Sequence, residues 1–199
     1  MSIAPEPVPR RFYNRDTLIV APELLGKLLV RRESSGLLVG KIVETEAYRG
    51  VDDPASHSYR GKTPRNAVMF GAPGIAYVYF TYGNHYCLNA VTEDEGTPAA
   101  VLIRAVEPLE GVDLMMRNRG VEKLTEVGSG PGKLTKALQI TREQNGCDLT
   151  DPASDLKICE PSEAGKVFET VRTTRIGIRL AQDKLWRFYV KGNPHVSRK

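Results

Sequence analysis

The chain is expected to fold as an α+β domain built on a mostly antiparallel sheet, and three observations carry that expectation. Segments of alternating, β-branched texture cluster in the middle and at the end of the chain, segments of helical spacing lie beside them, and no regular strand–helix–strand alternation joins them. The 199 residues, 41% hydrophobic and 26% charged, suffice for one sizeable core. No internal repeat or linker divides them, so a single domain over 1–199 is expected.

The elements follow in chain order. Met1 to Pro9 is proline-rich and lacks the apolar run of a signal peptide, so residues 1–10 are expected to form a flexible lead. Asp16 and Thr17 offer an N-cap before Leu18, Ala21, Leu24, Leu25 and Leu28, whose spacing predicts an amphipathic helix over 16–28, disturbed by Pro22. From Leu37 to Tyr48 the pattern alternates. A strand there carries Val43, Thr45 and Ala47 on one face and Glu44, Glu46 and Tyr48 on the other. Residues 50–74 hold several prolines among charged residues without periodicity and read as one long loop, a length usually reserved for function. The segments 75–82 and 86–92 flank Gly83, Asn84 and His85 as a hairpin, and 99–106 adds a strand. Val112, Met115 and Met116 suggest a short helix, and the glycine-rich Gly128 to Lys133 opens another bearing Leu134 and Leu138. An acidic excursion over 143–163 precedes closing strands near 174–178 and 186–190.

Bulk properties narrow the function. A formal net charge of +4 and a pI near 9.0 favour a polyanionic partner. Three scattered cysteines make no disulfide framework and no CxxC zinc spacing, which points to a reducing compartment and no structural metal. No window approaches the roughly 18 apolar residues of a membrane helix. The expectation is a cytoplasmic protein, beside the DNA in a bacterium, with no membrane partner.

Glu44 and Glu46 project to one side of their strand, where each raises the other's cost of ionising, an arrangement suited to general-base work on water. A solvated strand face is the plainer explanation. Tyr48, Tyr77, Tyr79, Tyr82 and Tyr86 offer flat faces on which bases could stack, or else a core aromatic cluster. Tyr82, at the hairpin tip, is hardest to place in a core; an aromatic there could act as a wedge between base pairs. His57 stands alone in its loop. Basic residues recur along the chain, among them Arg65, and Gly132 and Lys133 at a helix start could meet a phosphate. A nucleotide-binding P-loop is rejected, because Val127 replaces the required glycine and Leu134 the Ser or Thr. No Ser-His-Asp set or HExxH pattern appears, so hydrolysis would be metal-free.

The run Val43 to Gly50 (VETEAYRG), Ala55 to Ser58 (ASHS), Thr63 to Asn66 (TPRN), Tyr77 to Gly83 (YVYFTYG) and Cys87 to Asn89 (CLN) together resemble the alkyladenine, or 3-methyladenine, DNA glycosylase family. The resemblance continues through Val101 to Arg104, Glu107 to Gly111, Gly130 to Lys133 and Arg187 to Val190, in order over nearly the whole chain. It implies a curved, roll-like antiparallel sheet flanked by helices and an enzyme that uses neither metal nor cofactor. It makes Glu46 the general base, places Tyr48, His57 and Tyr79 around an extruded purine, and gives Tyr82 the intercalating role. Asn89 would discriminate against guanine's exocyclic amine, and Arg104 would be a basic neighbour in the pocket. Against that family, the longer N-terminal region of mammalian members is not expected, and Asn84 and His85 stand where the usual apolar pair follows the tyrosine wedge. The implied activity is hydrolysis of the N-glycosidic bond of alkylated or deaminated purines flipped from double-stranded DNA, carried out by a monomer that leaves an abasic site. A non-catalytic damage-binding protein and a hydrolase of free nucleosides are the alternatives.

Overall fold

The computed structural model describes residues 6–50, 52–81, 83, 85–161 and 167–197. One long strand organises them. β2 (Gly36–Arg49) pairs along one side with β5 (Ala99–Glu110) and along the other first with β1 (Leu28–Glu33) and then with β8 (Arg187–Val190). Beyond β5 lie β4 (His85–Val91) and β3 (Ala76–Thr81); beyond β1 lies β6 (Leu156–Cys159), and β7 (Thr170–Thr173) pairs with β8. Every one of these pairings is antiparallel, and the sheet is curved. With the helices α1 (Arg10–Tyr13), α2 (Thr17–Glu23), α3 (Val112–Arg119) and α4 (Pro131–Ala137), this is the expected α+β class.

Strand alternation sorts the side chains onto two faces. Ala47, Val78, Leu88, Ala90, Val101 and Ile103 join the main core with Leu24 before β1, Met115 of α3 and Leu134 of α4. Thr45 also faces the helices and donates to the carbonyl of Ala21 in α2 at 2.8 Å. Glu44, Glu46, Tyr48, Cys87, Asn89 and Arg104 take the alternate positions. The register between β2 and β5 shifts on both sides of Glu44: Ile42 faces Val106, Glu44 faces Ala105 and Thr45 faces Ile103. Val43 and Arg104 are thereby left over in the ladder, a double bulge of the kind that re-aims side chains beside active sites.

Several expectations are corrected. The helix predicted over 16–28 ends at Glu23, although Asp16 caps it as predicted by accepting from the Leu18 amide at 2.7 Å. Pro22 lies in its last turn and Gly26 turns with φ +84°, so Leu28 begins β1 instead of a further helical turn. The excursion over 143–163 contains β6, a strand too short for its alternation to stand out. Thr174 to Ile178 is not a strand: pairing with β8 stops at Thr173, Arg175 turns inward and Gly177 takes φ +76°. Val8, inside the segment expected to be flexible, is fully buried, and its amide donates to the Ile158 carbonyl at 2.8 Å. No helix of the described residues is long and apolar enough to cross a membrane.

Candidate functional site

A single row crosses the sheet beneath the site. Tyr77 of β3 faces Asn89 of β4, Asn89 faces Leu102 of β5, Leu102 faces Glu46 of β2, and Glu46 faces Arg187 of β8. Above this row opens a cavity of about 330 Å³, within the range of small-molecule sites. Tyr48, His57, Tyr79, Asn89 and Arg104, five of the expected site residues, line it. The loop carrying Ser56 and His57 forms one wall and the strap Ile176 to Leu180 another.

Glu46 is not on the cavity surface. It is fully buried just behind the lining, held by three groups that do line the cavity. Its Oε2 accepts from the Tyr48 hydroxyl at 2.8 Å and lies 3.2 Å from the Arg104 guanidinium, and its Oε1 accepts the Ile176 amide at 2.8 Å. Glu44 is bound differently. Its Oε1 receives Arg104, Arg187 and the Ser197 hydroxyl at 3.1, 2.7 and 2.8 Å, and its Oε2 receives the Ser197 amide at 2.7 Å. The two glutamates are therefore not bare carboxylates repelling one another: Arg104 bridges them. Burial alone would make Arg104 more acidic, but Glu46 and Glu44 outweigh it and hold its pKa above the ordinary arginine value. Among the described residues both carboxylates keep one oxygen with a single donor, but every partner of Glu46 lines the cavity, whereas Arg187 and Ser197, which hold Glu44, do not.

The aromatic wall is made by β3 and the long loop. Tyr79 lies 4.5 Å from His57 between ring centroids and 5.3 Å from Tyr77, and His57 Nδ1 is hydrogen-bonded to the Tyr77 hydroxyl at 3.1 Å. Asn66, almost fully buried, places that histidine by donating to the carbonyls of His57 and Gly61 at 2.9 and 3.0 Å while accepting the Thr63 amide at 2.6 Å. Partial burial, and then the charge of Arg65, lowers the His57 pKa, so the ring is neutral near pH 7. Burial raises the tyrosines: Tyr77 to about 12, Tyr79 well above its ordinary value with Cys87 adding to the shift, and Tyr48 likewise with Glu46 adding to it. Tyr48 thus keeps its proton and donates a hydrogen bond to Glu46. Asn89 donates to the Tyr77 carbonyl at 3.0 Å, which fixes the orientation of its amide in the cavity floor.

The remaining expected residues are more scattered. Arg65 lies over the Tyr79 ring at 5.6 Å and donates to the Phe80 carbonyl at 3.2 Å, so it borders the aromatic wall. Lys133 is exposed near the start of α4, its ammonium 3.3 Å from the Ser129 hydroxyl. Gly132 has a packing reason to be glycine, since a Cβ there would come within 2.8 Å of the His85 ring. Tyr82 and Asn84 lie outside the described residues. Tyr77, Cys87, the strap with exposed Arg179 and Leu180, and the Asp53–Arg175 pair beneath it were not among the expected site residues. Tyr77 shares the alternation of Tyr79 and was the one legible beforehand. No group of three His, Cys, Asp or Glu side chains placed to hold a metal ion occurs among the described residues.

A family model described as methylpurine-DNA glycosylase matches residues 11–194. A protein of Carboxydothermus hydrogenoformans named putative 3-methyladenine DNA glycosylase is 53% identical over 192 residues, covering 96% of this chain and 99% of its own length. Proteins of the same name from Koribacter versatilis and Methanoculleus marisnigri are similar to the same extent. The first is 50% identical over 196 residues, covering 97% of this chain and 94% of its own. The second is 51% identical over 195 residues, covering 96% and 99%. With its sequence matched from end to end of the described fold, this chain belongs to the methylpurine-DNA glycosylase family of base-excision repair enzymes.

Proposed function

We propose that the chain, acting as one monomeric domain at chromosomal DNA, receives a damaged purine flipped out of the duplex and hydrolyses its N-glycosidic bond with water activated by Glu46. Its lesions are alkylated or deaminated purines: 3-methyladenine, 7-methylguanine, hypoxanthine and ethenoadenine. The observation that carries this reading is a carboxylate with spare acceptor capacity directly behind the lining of a cavity walled by tyrosines and a neutral histidine. Glu46 has no exposed surface in the free protein, so the attacking water reaches Oε1 through the cavity lining as the nucleotide enters.

In this mechanism Tyr48, His57 and Tyr79 hold the base by stacking and edge contacts, and Asn89 crowds the position of guanine's exocyclic amine. Cleavage builds oxocarbenium character at C1′, which the Glu46 carboxylate stabilises while it orients water and accepts its proton. The water oxygen bonds to C1′, and the purine leaves with the electrons of the broken C–N bond. A 3- or 7-alkylated purine is already cationic and leaves without further help; a neutral lesion must gain a proton as it departs. Arg104 offsets the charge of both glutamates. Tyr82 fills the gap in the duplex, while Arg65, Lys133 and the amide of Gly132 contact phosphates, so binding weakens as salt rises.

The test is single-turnover release of each lesion from duplex DNA, with strand integrity followed before alkali treatment. Base release with the strand intact is expected. Release from free nucleosides faster than from duplex would contradict the reading, as would strand cleavage without alkali.

A further inference from the structure

We propose that the buried Asp53–Arg175 pair is the positioning device of the active site, riveting the loop after β2 to the strap before β8 and so setting both the Glu46 carboxylate and the Tyr48 ring. The proposal rests on the reading of Glu46 given above. Both side chains are wholly withdrawn from solvent. Arg175 donates through two nitrogens to the two oxygens of Asp53 at 2.5 and 2.6 Å, a planar bidentate match. The same guanidinium donates to the carbonyl of Ala47 at 2.9 Å, the residue between Glu46 and Tyr48. Its charge centre lies 4.6 Å from the Tyr48 ring centroid and 5.1 Å from that of Trp186. The next residue along the chain, Ile176, supplies the amide that Glu46 Oε1 accepts. On the other side, Asp53 accepts the Ala55 amide at 3.2 Å, shaping the turn that leads to His57.

One ion pair thus touches the three-residue segment that bears the carboxylate, the underside of the stacking ring, and the start of both cavity walls. Stability is a poor reason for it. Burying a charge pair costs desolvation that an apolar pair of equal volume avoids, and Arg175 Nε is buried with no acceptor among the described residues. What the pair supplies beyond apolar packing is direction. A planar fork with both prongs engaged admits one orientation, and that orientation aims the Ile176 amide at Glu46.

The test compares Asp53→Asn, Arg175→Lys and the double variant Asp53→Leu/Arg175→Met. Three quantities are measured for each: thermal stability, affinity for a duplex carrying a tetrahydrofuran abasic site, and single-turnover excision of hypoxanthine. Each single variant is expected to excise on the order of 10- to 100-fold more slowly, because small misplacements of reacting groups carry penalties of that size. Duplex affinity should stay within about threefold of wild type, since no phosphate contact is lost. The double variant removes both charges at once and is expected to regain melting temperature without regaining rate. A double variant that recovers both would overturn the proposal, leaving the pair a structural element only. Should the double variant not fold, Arg175→Lys decides: it keeps the charge but not the fork, and a wild-type excision rate from it also overturns the proposal. A wild-type chain inactive on every lesion would instead sink the reading of Glu46, and the proposal with it.

Discussion

On the helix side of the sheet Ala47, Leu88, Val101 and Ile103 meet the helices as an ordinary core; on the other side the polar Glu44, Glu46, Asn89 and Arg104 are buried as well, the last two along the cavity. The first face is held by burial, which has no direction and tolerates approximate shapes. The second is held by hydrogen bonds and charges that must each be met, because an unpaired polar group inside a protein is costly. The contrast shows where this fold concentrates its specificity. A face buried by apolar contact needs only volume, whereas a face of buried charges needs partners drawn from distant parts of the chain: Ser197 for Glu44, Ile176 for Glu46, and Arg175 for Asp53.

Three perturbations sharpen that comparison. The largest loss of stability is expected for Glu44→Gln, which strips the charge that Arg104 and Arg187 share and should cost about 3–5 kcal/mol in chemical denaturation. A cost under 1 kcal/mol would mean that the polar face is as forgiving as the apolar one. Ile103→Ala, on the helix side, is expected to cost about 2–5 kcal/mol by loss of apolar burial and creation of a cavity. Its excision rate per folded molecule should remain near wild type. A large fall in that rate would show that the two faces are coupled through the strand.

The smallest effect concerns pH. The pKa of His57 is lowered by partial burial and Arg65, and that of His195 by burial, so both favour the neutral form when folded. The unfolded chain then binds more protons below the ordinary histidine value near 6.5. Their stabilising contribution is complete above that value and is lost as pH falls from it through the folded-state values. His57→Gln should flatten part of this slope in denaturation curves between pH 7 and 5; an unchanged slope would remove His57 from the account.

Much of this arrangement was legible in the chain, for physical reasons that also mark where legibility ended. β2 announced itself by alternation, and alternation placed Glu44, Glu46 and Tyr48 on one face. The hairpin of β3 and β4 was readable from its aromatic and β-branched strands. Tyr77 belongs to a buried aromatic cluster, one of the two explanations offered for the tyrosines, and still lines the cavity. β1 was hidden because its leucines continue the spacing of α2, and only the turn at Gly26 separates them. The segment 174–178, which runs into the strap, has strand-like composition, but the inward turn of Arg175 depends on Asp53, 122 residues away, and no local pattern reports that pairing. What holds Glu44 away from the cavity likewise depends on Ser197, 153 residues from it. The assignment of Glu46 as general base came from the resemblance; the structure adds that Glu44 is tied to Arg187 and Ser197, outside the cavity lining.

The central claim is that Glu46 does chemistry and not merely packing. The most direct test is Glu46→Gln, which keeps the shape while removing the charge, measured for single-turnover excision of hypoxanthine and for affinity to the lesion duplex. Excision slower by on the order of 10² to 10⁴, with affinity within a few-fold of wild type, is the predicted result. Excision at the wild-type rate by a folded Glu46→Gln protein would contradict it.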